Sequence, residues 1–321
     1  MSLPELRLAG WRATKDTLHL YCQIVGKIKL ATTPPRNHWW NVPLYVDVRG
    51  LTTRRLHHRG TTFEITFDLI DHALAVRTAD GRTRSFGLAG GLPVADFDQA
   101  LHAVLGELDI DVAIKEVPFG VPMTTPFAQD AEHASWDREA IMRFGRILDW
   151  SDAVFEEFSG WFNGKTSPVH LFWHGLDLAV TRFSGRPAPP IDADPVTREA
   201  YTHEVISFGF WPGDDTVGDA AYYSYTAPEP AGLRGQPLPA GTWTQYGPGS
   251  LAILPYETVR TARDPRTTLL AFCQSAYEAG ARLAGWDTAS LTSTWCPTPG
   301  QLQQLHASAA ADLGRASEEV P

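Results

Sequence analysis

A chain of 321 residues with 43% hydrophobic side chains can bury a sizeable core, and 11 Trp with 15 Phe exclude a disordered polymer. With 27 basic against 37 acidic side chains the net charge is −10, which argues against a nucleic-acid-binding or anionic-membrane role. No apolar run approaches the roughly 20 residues needed to span a bilayer, and the opening MSLPELRLAG lacks an export signal. Cys22, Cys273 and Cys296 are far apart with no CxxC pair, so they read as reduced thiols of a cytoplasmic protein.

The first expected element is a helix over 11–30, with Leu18, Tyr21, Ile24, Val25 and Ile28 as its stripe, stopped by Pro34-Pro35. Alternation in LYVDV and in TTFEITFDLIDH predicts two half-buried strands. In the second, Phe63, Ile65, Phe67 and Leu69 oppose Glu64, Thr66 and Asp68. Asp80-Gly81 marks a hairpin between a strand over 73–79 and one over 82–88. Phe97, Leu101, Leu105 and Leu108 predict a helix over 94–108, and a strand is expected over 110–117.

After the connector PFGVPMTTPFAQD and the phrase EHASWD, Asp137 is the expected N-cap of a long helix to about 163. Glu132 and His133 of that phrase are candidates for a lid. The stretch from Lys165 to Arg186 reads as one strand covered on both faces, and further strands are expected near 200–210, 220–226 and 250–256. Asp264-Pro265 opens a last helix ending near Gly285, and residues 289–321 read as a loosely attached tail.

The halves run in parallel. A helix ends in Gly26-Lys27 in one and Gly164-Lys165 in the other, both read as helix caps. A histidine and a strand ending in an arginine follow: His38 to Arg49, and His170 to Arg182. The expectation is an α+β fold made by internal duplication of a helix–four strands–helix unit. Residues 1–122 and 123–288 would be the two repeats, forming a curved antiparallel sheet with helices mainly on one face. That order is similar to folds of the TATA-binding-protein type and to helix-grip folds, an analogy that carries no function. The phrases LHLYCQIVGKI, NHWWNVPLYV, FEITFDLIDH, SPVHLFWHGLDLAVTRFSGR, AYTHEVISFGFWPG and LPYETVRTA resemble a bacterial family catalogued as domain of unknown function 5996. The resemblance covers roughly residues 5 to 287. It implies a stand-alone cytoplasmic protein and brings no activity, substrate or cofactor.

Function therefore rests on the residues. No phosphate loop, dinucleotide fingerprint, HExxH or nucleophile elbow is present. His38, His170, His203 and Glu204 are the candidate ligands of a divalent metal (Fe, Zn or Mn), because imidazole with carboxylate suits those ions and leaves positions open to substrate. Glu204 alternates with Ile206, Phe208 and Phe210, so it is either paired with an arginine or acts as a general acid or base. Arg182 is the candidate for orienting an anionic substrate, or for satisfying a buried acid. His102 reads as a helix-surface residue. The functional expectation is a small-molecule enzyme with its site in a cleft between the repeats. The alternative is a non-catalytic carrier of an apolar or aromatic ligand, for which Tyr222, Tyr223, Tyr225 and Trp211 could line a pocket.

Overall fold

The computed structural model describes residues 2–247 and 249–293; Cys296 and most of the expected tail lie outside the described residues. In the first half, helix α1 (Leu8–Thr32) precedes strands β1 (Tyr45–Asp47), β2 (Gly50–Thr52), β3 (Leu56–His58), β4 (Thr61–Asp68), β5 (Ala73–Thr78) and β6 (Thr83–Gly87). Helix α2 (Val94–Glu107) closes it. In the second, α3 (Arg138–Gly160) precedes β7 (His170–Phe172), β8 (Asp177–Pro187), α4 (Pro195–Ala200), β9 (His203–Trp211), β10 (Ala221–Ala227), β11 (Thr242–Tyr246) and β12 (Gly249–Pro255). Helices α5 (Tyr256–Arg260), α6 (Pro265–Leu283) and α7 (Thr288–Leu291) follow.

Each half holds a six-stranded antiparallel sheet where four strands were expected. The first runs β1-β2-β4-β5-β6 with β3 also on β4, and the second runs β11-β12-β10-β9-β8-β7. The sheets meet at their first strands. Leu44 and Leu171 exchange backbone hydrogen bonds of 2.8 Å in both directions, so β1 and β7 abut edge to edge. Helices α1 and α2 pack with the first sheet, α3 and α6 with the second, and α3 also reaches β1 across the join.

Local rules explain most of this. Phe63, Ile65 and Phe67 are at most 2% exposed on β4, and burying each contributes about 1.5–3 kcal/mol. Asp137 accepts from the backbone N–H groups of Glu139 and Ala140 at the start of α3. Asp264 does the same for Thr267 at the start of α6, with Pro265 in the first turn.

Three expectations fail for tertiary reasons. Gly26-Lys27 is not a cap: α1 continues to Thr32, and an added Cβ at Gly26 would lie 2.3 Å from the Trp173 ring. The glycine is there to let an indole approach the helix. The stretch Lys165–Arg186 is not one strand. It breaks at Trp173–Leu176, where Gly175 N–H donates to the Phe172 carbonyl and Leu176 takes φ +54°, and returns as β8. Residues 110–117 pair with no strand, whereas β11 and α4 had no clear sequence signal.

Candidate metal centre

The four sequence-derived ligands do not converge. His38 Nδ1 lies 3.1 Å from the Ala200 carbonyl oxygen and its Nε2 lies 2.9 Å from Lys165 Nζ, so both ring nitrogens are engaged. Its ring is near that of His203, at 5.6 Å between centroids. Glu204 accepts two hydrogen bonds from Arg186, at 2.7 and 2.9 Å, one of the outcomes its apolar neighbours had left open. His170 is 1% exposed on β7 beside Tyr45 and Phe172, with Nδ1 unpartnered.

Arg182 does not face a cleft. It is 1% exposed, donates to the Phe158 carbonyl and is enclosed by the rings of Phe158, Phe162 and Tyr277. Burial lowers its guanidinium to about 9, and cation–π contacts stand where a carboxylate would be expected. Glu132 and His133 form no lid either: the buried Asp130 accepts from both of their backbone N–H groups, and its Oδ2 lies 2.8 Å from His133 Nδ1.

A different triad is brought together on α2. Asp98 and His102 are one helical turn apart (i, i+4) and therefore share a face, and Glu116 reaches them from the extended segment after the helix. Ligand-type atoms of the three lie within 4.8 Å of one another, and among the described residues this is the one such group of three His, Cys, Asp or Glu side chains. They line an open groove of about 520 Å³ together with Ala95, Asp96, Gln99 and Ala128. Two alanines in that wall leave room beside the charged groups.

The electrostatics are those of a poised cluster. His102 Nδ1 lies 2.9 Å from the carbonyl oxygen of Asp98 and 3.3 Å from its Oδ1. The second contact lacks hydrogen-bond geometry, so Asp98 Oδ1 is buried without a hydrogen-bond partner. The Asp98 carboxylate raises His102 to about 9, against the opposing effect of burial, so the imidazole is charged at neutral pH. Glu116 is shifted upward by burial and then by the Asp98 charge, with His102 and Lys27 pulling the other way.

The Asp98 contacts hold Nδ1 and fix the ring, and an ion bound by His102 would displace a proton from the charged imidazole. Ligand atoms about 2.1 Å from one ion are at most about 4.2 Å apart, so small side-chain rotations would close this group on a cation. The sequence did not single out this triad, although part of the signal was there: an Asp and a His four apart on the predicted α2. The position of Glu116 could come only from the folded chain.

The model of a family of unknown function, DUF5996, matches residues 3–293. No curated protein and no solved structure matches the chain.

Proposed function

The chain belongs to DUF5996, a family of unknown function, and we propose that it is a metal-dependent enzyme acting on a small molecule in the α2 groove. Asp98, His102 and Glu116 would hold the ion. Two carboxylates and an imidazole suit Zn(II), Mn(II) or Fe(II). A bound cation would supply Lewis-acid polarisation of a substrate oxygen.

The observation that carries the reading is the gathering of ligand-type atoms of Asp98, His102 and Glu116 within 4.8 Å, with Asp98 Oδ1 buried, 3.3 Å from His102 Nδ1 and without a hydrogen bond. Two carboxylates beside one imidazole leave the cluster with an acid that His102 alone does not match, which a bound cation would offset. Calorimetric titration of chelator-stripped protein with Zn(II) or Mn(II) tests the proposal. About one ion per chain is expected, and the near-isosteric Asp98→Asn should abolish the heat; an unchanged isotherm for that variant would reject the site.

A second reading, carriage of an aromatic ligand without chemistry, is favoured by the other face of the second sheet. Tyr223 donates to Asp177 Oδ2 at 2.5 Å, the Tyr201 and Tyr225 hydroxyls lie 2.9 Å apart, and the Tyr223 and Tyr225 rings are near-parallel. An organic ligand retained on purification and lost in Tyr223→Ala, with no metal requirement, would favour it. An opening helix, six strands and a closing helix in each half, with α4 and α5 inserted in the second, and the join at Leu44 and Leu171 support a duplicated module forming one curved sheet. The free, buried Cys22 and Cys273 fit a reducing cytoplasm.

A further inference from the structure

The join between the sheets gathers basic side chains. Lys29, 4% exposed near the end of α1, donates from Nζ to the carbonyl oxygens of Pro43 at 2.5 Å and Thr53 at 2.8 Å. One of its three N–H groups remains. The same Nζ lies 4.6 Å from the Tyr45 ring centroid, and the Arg54 guanidinium carbon lies 3.5 Å from it. Arg36 is exposed nearby; burial, then the Arg54 and Arg36 charges, lower Lys29 to about 7, so it is charged only in part at neutral pH and a bound anion would favour its protonated form. Behind them His170 keeps a fully buried Nδ1 with no partner.

Among the described residues none of Lys29, Arg36 and Arg54 lies within 4.0 Å of a carboxylate, and the guanidinium groups of Arg36 and Arg54 make no hydrogen bond. Stacking on Tyr45 explains how a cation can rest there, but it uses the face of the guanidinium and leaves its N–H fork free. Arg54 also holds φ +57°, a left-handed backbone that non-glycine residues adopt mainly under constraint. Asp152 on α3 is the acid on which the Arg54 charge acts. Burial, then Glu156 and Asp149, raise its carboxyl to about 7, so it neutralises the cations only in part at neutral pH.

We propose that this seam is a binding site for a small oxyanion, a phosphate or carboxylate group, with the stacked Arg54 fork and Arg36 at its mouth and Lys29 and His170 behind them. A planar fork held edge-outward matches two oxygens of either group in parallel hydrogen bonds. Capturing the anion would supply a counter-charge in direct contact with Arg54 and Arg36.

Side-chain NMR of ¹⁵N-labelled protein, titrated at fixed ionic strength and neutral pH with inorganic phosphate and separately with malonate, tests the assignment. The expected result is saturable movement of the Arg54 Nε–Hε and His170 ring signals with Kd on the order of 1 mM or tighter. Arg54→Gln should weaken it at least about tenfold, and Arg54→Lys, which keeps the charge but loses the fork, should also weaken it. Both variants sit at an exposed position, and Arg36→Gln provides an independent second loss. Tighter phosphate binding would assign a phosphate ester as the occupant, and tighter malonate binding a carboxylate. Failure of both anions to saturate, or full affinity in Arg54→Gln or Arg54→Lys, would overturn the proposal.

Discussion

The α2 groove and the seam between the sheets each hold a histidine among charged neighbours, and the two neighbourhoods have opposite sign. In the groove, Asp98 raises His102 to about 9. At the seam, burial, then Lys29 and Arg54, lower His170 to about 3. Elsewhere opposite charges meet directly, as in Arg186 with Glu204 and Arg266 with Glu157. In the groove His102 meets Asp98 and Glu116 adds a second carboxylate; at the seam Arg36 and Arg54 have no carboxylate within 4.0 Å among the described residues. The first is proposed for a cation and the second for an anion.

The contrast breaks most visibly in metal affinity. His102→Ala should weaken Zn(II) or Mn(II) binding about 1000-fold, about 4 kcal/mol, whereas His170→Ala should leave calorimetric affinity unchanged. Equal losses would mean the two regions are not independent.

Stability should show the reverse ranking. Lys29→Met strands the Pro43 and Thr53 carbonyls and should cost about 2–4 kcal/mol in urea denaturation. The exposed Glu116→Gln should cost under about 1 kcal/mol while still impairing the metal titration. A large stability loss for Glu116→Gln would make the groove a structural ion cluster.

A finer distinction lies in pH. His102 binds its proton more tightly folded than unfolded, so its contribution is complete below about 6.5 and is lost as pH rises through about 9. His170 binds its proton less tightly folded, so it removes stability as pH falls from about 6.5 towards 3. Denaturation of metal-free His102→Gln across the alkaline window should lose the downward slope, and His170→Gln should flatten part of the acid limb. Slopes identical to the parent in both variants would contradict the two assignments.

The smallest effect is expected at Glu204. Paired with a half-exposed Arg186, it should cost less than about 1 kcal/mol as Glu204→Gln and leave the metal isotherm intact. A loss of metal binding there would return the site to the residues that sequence alone suggested.

Much of the fold was legible because the signals were local. Period-two alternation marked β4, the Leu101–Leu105 stripe marked α2, and Asp137 and Asp264 marked helix starts. What failed depended on distant partners. Gly26 looks like a cap until Trp173 is seen against it, and the turn at Trp173–Leu176 carries no strong turn dipeptide between its two buried strands. The site was half legible. His170 does lie where the two sheets meet, but Arg182 points into an aromatic cage because Phe158, Phe162 and Tyr277 come from α3, the segment after it and α6. Asp98 and His102 were readable as an i, i+4 pair; Glu116 was not, since no period links it to α2.

Anomalous diffraction from crystals soaked in Mn(II) tests the central claim most directly. A peak bonded to Asp98, His102 and Glu116 is the predicted result. A fully soaked crystal with no peak there, or one in which Mn(II) sits only on unrelated surface carboxylates, would contradict the metal centre.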